Sequence, residues 1–451
     1  MRTHRGRARP AAEGPAAVGQ RIELSLERLS HDGRGIGRWQ GRTTFVDGGL
    51  PGERVQARVT RARSKLVETR LENLLQTSDQ RLQPACQHAH LCGGCSLQHM
   101  PESMQLEVKQ QALAQQLQHF GAVTPENWMP PLHGPAYAYR QRTRLAMRWD
   151  PRAGRLQVGY RQRASSELVE ISQCPVLVPE LEQLIQELIP VLRSLDGRAG
   201  LGHAELTWGA PGVLLIRHMQ PLSAEDRRIL QALAERHAVG LWLDEGNGSV
   251  PCVDNAELPA YPLPDEGLRM TFAPGDFIQV NAAVNQAMVT QALDWLAVQP
   301  GEQVLDLFCG VGNFSLPLAR RGAQVTGVEG SSEMVEMART NALNNQLEGL
   351  HFFQADLSKS GEVDWLPSAC SAALLDPPRE GAEQLVQRLA ASKVQRILYV
   401  SCNPSTLARD AGLLAAKGYR LVRVGIMDMF PQTAHVEAMA LFEKGPRNKA
   451  V

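Results

Sequence analysis

Cys402 stands in Ser401-Cys402-Asn403-Pro404, directly after the apolar run 396–400, which reads as a buried strand. A residue just past such a strand lies at the edge where open α/β sheets bind ligands. A thiol there is a nucleophile if its pKa is low and inert if it is buried among apolar groups. A second group of thiols has a different character. Cys86, Cys92 and Cys95 are spaced C-x5-C-x2-C, Gly93 and Gly94 let the loop curl, and Cys174 offers a fourth sulfur far along the chain. Four thiolates suit structural zinc or a [4Fe–4S] cluster, and spacing does not choose between them. The third signal is Val304-Leu305-Asp306-Leu307-Phe308 leading into Cys309-Gly310-Val311-Gly312-Asn313-Phe314. A glycine turn between strand and helix lets backbone N–H groups approach a nucleotide-type ligand. Ser315 stands where the dinucleotide fingerprint has its third glycine, which argues against a nicotinamide site. The next strand ends at Val328-Glu329, where a carboxylate can accept both hydroxyls of a ribose.

These groups need elements to hold them. From about Leu268 strands alternate with helices, which predicts a parallel α/β sheet. Its expected strands are 303–308, 324–328, 372–375 and 396–400, closed by an antiparallel pair at 422–426 and 437–442. Residues 140–260 mix strands and helices. Within them Tyr139-Arg140-Gln141-Arg142-Thr143-Arg144 alternates like a strand whose basic face touches RNA or, on balance, water. A helix is expected over 102–120, with Met104, Val108, Ala112, Leu113 and Leu117 on a packing face and Gly121 ending it. Between Gln20 and Gln76 the apolar residues alternate, as in Ile22, Leu24, Leu26 and Val55, Ala57, Val59, with glycines at the turns. That pattern predicts a small antiparallel barrel.

A chain of 451 residues calls for two or three cores. The net charge of +0 means that any basic surface is local. The first ten residues carry four arginines and no acid, and 54–70 holds Arg58, Arg61, Arg63 and Lys65 against Glu68. No apolar run approaches the roughly 20 residues of a membrane span, and no secretory leader is visible. Eight cysteines in this length are no disulfide scaffold, so the expected location is the cytoplasm.

The sequence LDLFCGVGNFSLPLA, followed in order by VEG, LLDPPREG and YVSCNP, resembles the RNA uracil-C5 methyltransferase family over about the last 180 residues. The segment HDGRGIGRWQGRTTFVDGGLPGERVQARV resembles the TRAM domain, an OB-like RNA-binding barrel. The first resemblance implies a class I, Rossmann-like fold that binds S-adenosylmethionine. By it Gln279 of GDFIQVN, Phe308, Asn313, Glu329 and Asp356 of FFQADL contact the cofactor, and Asp376 of DPPR lies between its methionine end and the uracil. The chemistry needs a thiolate, because C5 of uracil becomes a nucleophile only after addition at C6, and then a base to remove the C5 proton. The family pattern gives these roles to Cys402 and to Glu437 of His435-Val436-Glu437, with His435 in support. On composition alone Glu437 reads as surface charge. Cys309 is the rival thiol, while Cys252 and Cys370 match nothing and read as structural. Iron–sulfur members of the family imply a [4Fe–4S] cluster on Cys86, Cys92, Cys95 and Cys174.

Barrel, cysteine cluster and methyltransferase motifs together resemble the branch of the family that acts on 23S ribosomal RNA. The same chemistry on transfer RNA is the alternative, although that branch typically lacks barrel and cluster. The expected domains are a flexible tail 1–18, a TRAM barrel 19–77, an α+β central domain with the cluster at 78–267, and the methyltransferase domain 268–451. No membrane and no obligate protein partner are implied. A dehydrogenase leaves Cys402 unexplained, and a non-catalytic RNA-binding protein leaves nucleophile, base and cofactor turn unexplained.

Overall fold

The computed structural model describes residues 17–253, 256–359, 365–367 and 369–445. Most of the expected N-terminal tail, with its arginine-rich first ten residues, lies outside them. The chain forms two compact units. One runs to Gln83 and takes in Ser96–Val108; the other comprises Pro84–Cys95 and the chain from Lys109 onward.

In the first unit, alternation of apolar and polar residues produces the barrel. Arg21–Leu29 buries Ile22, Leu24 and Leu26 and exposes most of the residues between. The barrel closes in the order Arg21–Leu29, Gly35–Trp39, Arg42–Asp47, Leu66–Gln76, Arg54–Ala62. Its pairings are antiparallel except for Arg42–Asp47 with Leu66–Gln76, which is parallel. Beneath it Glu53, 1% exposed, receives both arms of Arg81 at 2.6 and 2.9 Å and the Leu50 N–H at 2.8 Å. Leu97 is fully buried and packs on the turn at Gly33. This unit therefore extends past the expected limit of the barrel at residue 77.

In the second unit, continuous apolar runs make buried parallel strands. The sheet order is Leu350–Gln354, Gln324–Glu329, Gln303–Leu307, Ala372–Leu375, Arg396–Ser401, Glu437–Lys444, Tyr419–Met427, Asn127–Trp128. The first five run parallel, and the expected antiparallel pair follows. The sequence reading missed both edges, Leu350–Gln354 and Asn127–Trp128. A further seven-stranded sheet, from Arg142–Asp150 to Ser249–Pro251, packs the helices Pro179–Ser194 and Ala224–Arg236 in its own core.

The helix Glu102–Gln116 buries Val108, Ala112 and Leu113, and continues as a wide π-type turn, Leu117–Gly121, instead of an α-helix to residue 120. Gly121 is required there, since a Cβ would sit 2.5 Å from the Ala408 carbonyl oxygen. The basic segment 139–144 corrects the expectation of a wet face. Tyr139 is buried, Arg142 bonds Glu205 at 2.6 Å and the carbonyl of Gly275 at 3.2 Å, and only Arg144 is exposed. No helix among the described residues is long and apolar enough to cross a membrane.

Candidate active site

The C-terminal ends of four adjacent parallel strands bring Glu329, Phe308, Asp376 and Cys402 to one edge of the sheet. The turn holding Cys402 is fixed by its neighbours. Ser401 Oγ accepts from Asn403 N and donates to Asn403 O, both at 3.1 Å. Asn403 Oδ1 caps the helix Pro404–Ala416 through Ser405 N at 3.1 Å, with Pro404 as its first residue. Asn403 Nδ2 donates to the Arg379 carbonyl at 2.9 Å, tying DPPR to S-C-N-P. Cys402 is left half-buried between these contacts.

Glu437 comes from the neighbouring antiparallel strand. Ser401 pairs with Ala438. Cys402, just past the strand end, lies close enough to Glu437 to feel its charge. Glu437 is 7% exposed, which overturns its reading as surface charge. Burial, then Asp376, pushes its carboxyl up to about 8, against the pull of Lys109 and Arg379. Burial also raises the Cys402 thiol, followed by Glu437 and Asp376, while Arg379 opposes them. Asp376 is raised to about 7 by burial and by Asp306. His435 is lowered by burial and by Arg379, Lys109 and Arg140, which favours its neutral imidazole form. The arrangement sets a thiol near a buried carboxyl, with a guanidinium that favours the anionic form of both.

The strand–helix turn is strained in the manner of a ligand site. Phe308 has φ +64°, rare for a residue with a Cβ. Its N–H bonds Val328 O at 2.9 Å. Gly312 has φ +97°, where a Cβ would also meet Leu316 at 2.5 Å. Glu329 accepts from Gly310 N at 3.1 Å and from Gly330 N at 2.7 Å, which fixes its carboxylate beside the turn. Asn313 exchanges bonds with Asn285 at 3.0 and 3.2 Å and accepts from Tyr261 at 2.9 Å. Asp306 is fully buried, bonds Ser315 at 2.5 Å, and is pushed to about 7 mainly by burial. Gln279 is half-buried two residues before Asn281, the cap of the helix Ala282–Leu296. Asp356 is held low, to about 2, by Ser358 and Lys359 at the exposed end of the row. Cys309 is 4% exposed, and burial, then Asp306 and Glu329, drives its thiol far up, which disfavours the thiolate.

Cys86, Cys92, Cys95 and Cys174 come near one another. Burial raises Cys174 to about 12, followed by the charges of Cys95, Cys86 and Cys92. Cys92 is anchored by a bridge to Gln162, and Gly93 N bonds Arg161 O at 3.0 Å. Among the described residues no three His, Cys, Asp or Glu side chains are grouped so as to hold a metal ion.

Residues 259–445 match the family model described as tRNA (Uracil-5-)-methyltransferase, and 15–71 match the TRAM domain. The 23S rRNA (uracil(1939)-C(5))-methyltransferase RlmD of Pseudomonas aeruginosa (strain UCBPP-PA14) is 53% identical over 436 residues, 96% of this chain and 97% of that protein. The protein of the same name from Pseudomonas putida is 52% identical over 429 residues, 95% of each. The chain belongs to the RNA uracil-C5 methyltransferase family. The crystal structure of Pyrococcus abyssi tRNA (uracil-54, C5)-methyltransferase in complex with S-adenosyl-L-homocysteine has the same fold, with TM-score 0.70 and 24% identity over 93% of this chain and all of that one.

This uracil-C5 methyltransferase is an S-adenosylmethionine-dependent enzyme with an N-terminal TRAM barrel. Its site contains groups that sequence reasoning missed. Arg379 acts electrostatically on Cys402, Glu437 and His435, and lay unremarked inside DPPR. Lys109 and Asp428 bond each other at 2.5 Å across 319 positions of sequence, a separation no local pattern spans. Lys109 lies three and four residues before the buried Ala112 and Leu113, on the same helix face, and that spacing was the hint of its burial.

Proposed function

We propose that this enzyme methylates C5 of a uridine in 23S ribosomal RNA, with Cys402 as covalent nucleophile and Glu437 as base. The observation that supports the reading is the pairing of Ser401 with Ala438, which brings the Cys402 turn within the electrostatic reach of Glu437. The Cys402 thiolate adds to C6, and the electron pair moves onto C5 and the C4 carbonyl oxygen. C5 then attacks the sulfonium methyl of S-adenosylmethionine; the methyl–sulfur bond breaks, its electron pair stays on sulfur, and S-adenosylhomocysteine leaves. Glu437 removes the C5 proton, the pair returns, and the bond from Sγ to C6 breaks, releasing 5-methyluridine and the thiolate. Arg379 stabilises both anions. The uridine must leave its stack, because thiol and methyl approach opposite faces of the ring.

For the methyl donor, the strained Phe308 turn and the fixed Glu329 carboxylate suit a nucleoside, with Gln279, Asn313 and Asp356 along the same edge and Asp376 toward the uracil. Ribosomal RNA is favoured over transfer RNA by relatives that match nearly the whole chain at about half identity. We also assign a [4Fe–4S] cluster to Cys86, Cys92, Cys95 and Cys174. Thiols raised this far must exchange their protons for cationic charge to become ligands. Such a cluster would tie the 86–95 loop to Cys174. The expected domain limits, 19–77, 78–267 and 268–451, stand as part of this reading, with residues 96–108 belonging to the barrel's compact unit.

The test compares methyl transfer to a 23S ribosomal RNA fragment and to unmodified transfer RNA. Glu437→Gln should accumulate a methylated protein–RNA adduct that survives denaturing electrophoresis. Faster methylation of transfer RNA, or a Gln variant that turns over normally, contradicts the proposal.

A further inference from the structure

Lys109 is 1% exposed and takes no part in the reaction as written above. Its Nζ lies 2.5 Å from Asp428 Oδ1 and 3.1 Å from the Phe430 carbonyl. Asp428 follows Met427, which pairs across the sheet with Glu437. The same short segment is held by Tyr139, whose hydroxyl donates to Pro431 O at 3.1 Å, and by Thr433 on Phe430 O at 2.9 Å. Lys109 thus grips the base of the loop that leads into His435 and Glu437.

We propose that Lys109 is a positioning residue: its ammonium fixes the 428–437 segment and favours the carboxylate form of Glu437, so that the methylated adduct resolves at neutral pH. The inference rests on the assignment of Glu437 as base. Every charged group around Glu437 bears on it. Asp376 and the Cys402 thiolate oppose its ionisation, and Asp428 partly neutralises Lys109. Arg379 and Lys109 favour ionisation, and His435, lowered with help from Arg140, favours its neutral form. Glu437 in turn helps to keep Lys109 protonated against its burial. A buried ion pair by itself does not indicate function, because such pairs often contribute little net stability. What sets this one apart is a third group, the base, within its field and one residue from its register.

The experiment uses full-length enzyme, S-adenosylmethionine and a 23S ribosomal RNA fragment, and follows the covalent adduct by rapid quench and denaturing electrophoresis across pH 6–9. Lys109→Met should form the adduct on 5-fluorouridine RNA at the wild-type rate, since that step does not use the base. On ordinary uridine its adduct should decay at least tenfold more slowly at pH 7 and recover toward pH 9, since each unit of upward shift leaves about tenfold less carboxylate. Lys109→Gln, which keeps a donor for Phe430 O without the charge, should give the same pH shift even if the Met variant folds poorly. Slowing of both RNAs alike, decay that no rise in pH restores, or a wild-type profile in both variants would overturn the proposal. If wild-type enzyme forms no adduct on fluorinated RNA, the covalent reading fails first, and the role of Lys109 with it.

Discussion

In the proposed mechanism Cys402 and Glu437 both act as anions, yet burial raises both. The rate at subsaturating RNA should therefore climb with pH through about 8, where Glu437 titrates. A profile that is flat or falling from pH 7 to 9 contradicts this. The same burial has a stability consequence. Below the ordinary carboxyl value of 4.5 Glu437 is protonated folded or unfolded. As pH rises toward 8 the unfolded chain ionises there and the folded one does not, so stability falls across that window. Glu437→Gln should raise stability at pH 8 by about 1–3 kcal/mol and leave it unchanged near pH 4, as thermal melting would record. Asp376→Asn should act in the same direction. At this scale the place of Cys402 at the sheet edge was legible, because an apolar strand runs directly into it. Glu437 as a buried acid was not, because burial is conferred by the strands around it. Lys109 was invisible for a stronger reason, since its partner lies 319 residues away.

At the scale of elements, the site depends on one turn and one register. Asn403 caps the helix Pro404–Ala416 and holds Arg379 through the same side chain. Asn403→Ala should cost about 1 kcal/mol in stability as a lost cap. Its effect on methyl transfer should exceed that on S-adenosylmethionine affinity, because Arg379 and Cys402 move while the Phe308 turn does not. Equal losses in both, measured by single-turnover kinetics and calorimetry, would refute this. The central strands were readable from runs such as AALL and ILYV, whose continuous apolarity marks burial on both faces. Leu350–Gln354 escaped because four of its five residues keep some exposure at the sheet edge. Asn127–Trp128 escaped because two residues carry no period. The basic strand near Arg142 misled because an alternating pattern does not reveal whether a polar face meets water or an acid such as Glu205.

On the scale of the whole molecule, zero net charge leaves RNA attraction to local groups. In the barrel Arg58 bonds Glu72 and Gly19 O, whereas Arg61, Arg63 and Lys65 are exposed. Replacing those three by Ala should weaken binding to the ribosomal RNA fragment and reduce its salt slope by roughly 2, with S-adenosylmethionine affinity unchanged. An unaltered slope would remove the barrel's basic stretch from the interface. Point substitutions are preferable to deleting 1–76, since Leu97 and its neighbours pack within the same unit. The central claim, covalent catalysis by Cys402, is tested most directly by mass spectrometry of the adduct that wild-type enzyme forms with 5-fluorouridine RNA and S-adenosylmethionine. Fluorine cannot leave as a cation, so the intermediate should persist, with the methylated nucleotide on the peptide containing Cys402. Attachment at Cys309, or turnover without any adduct, would contradict the account.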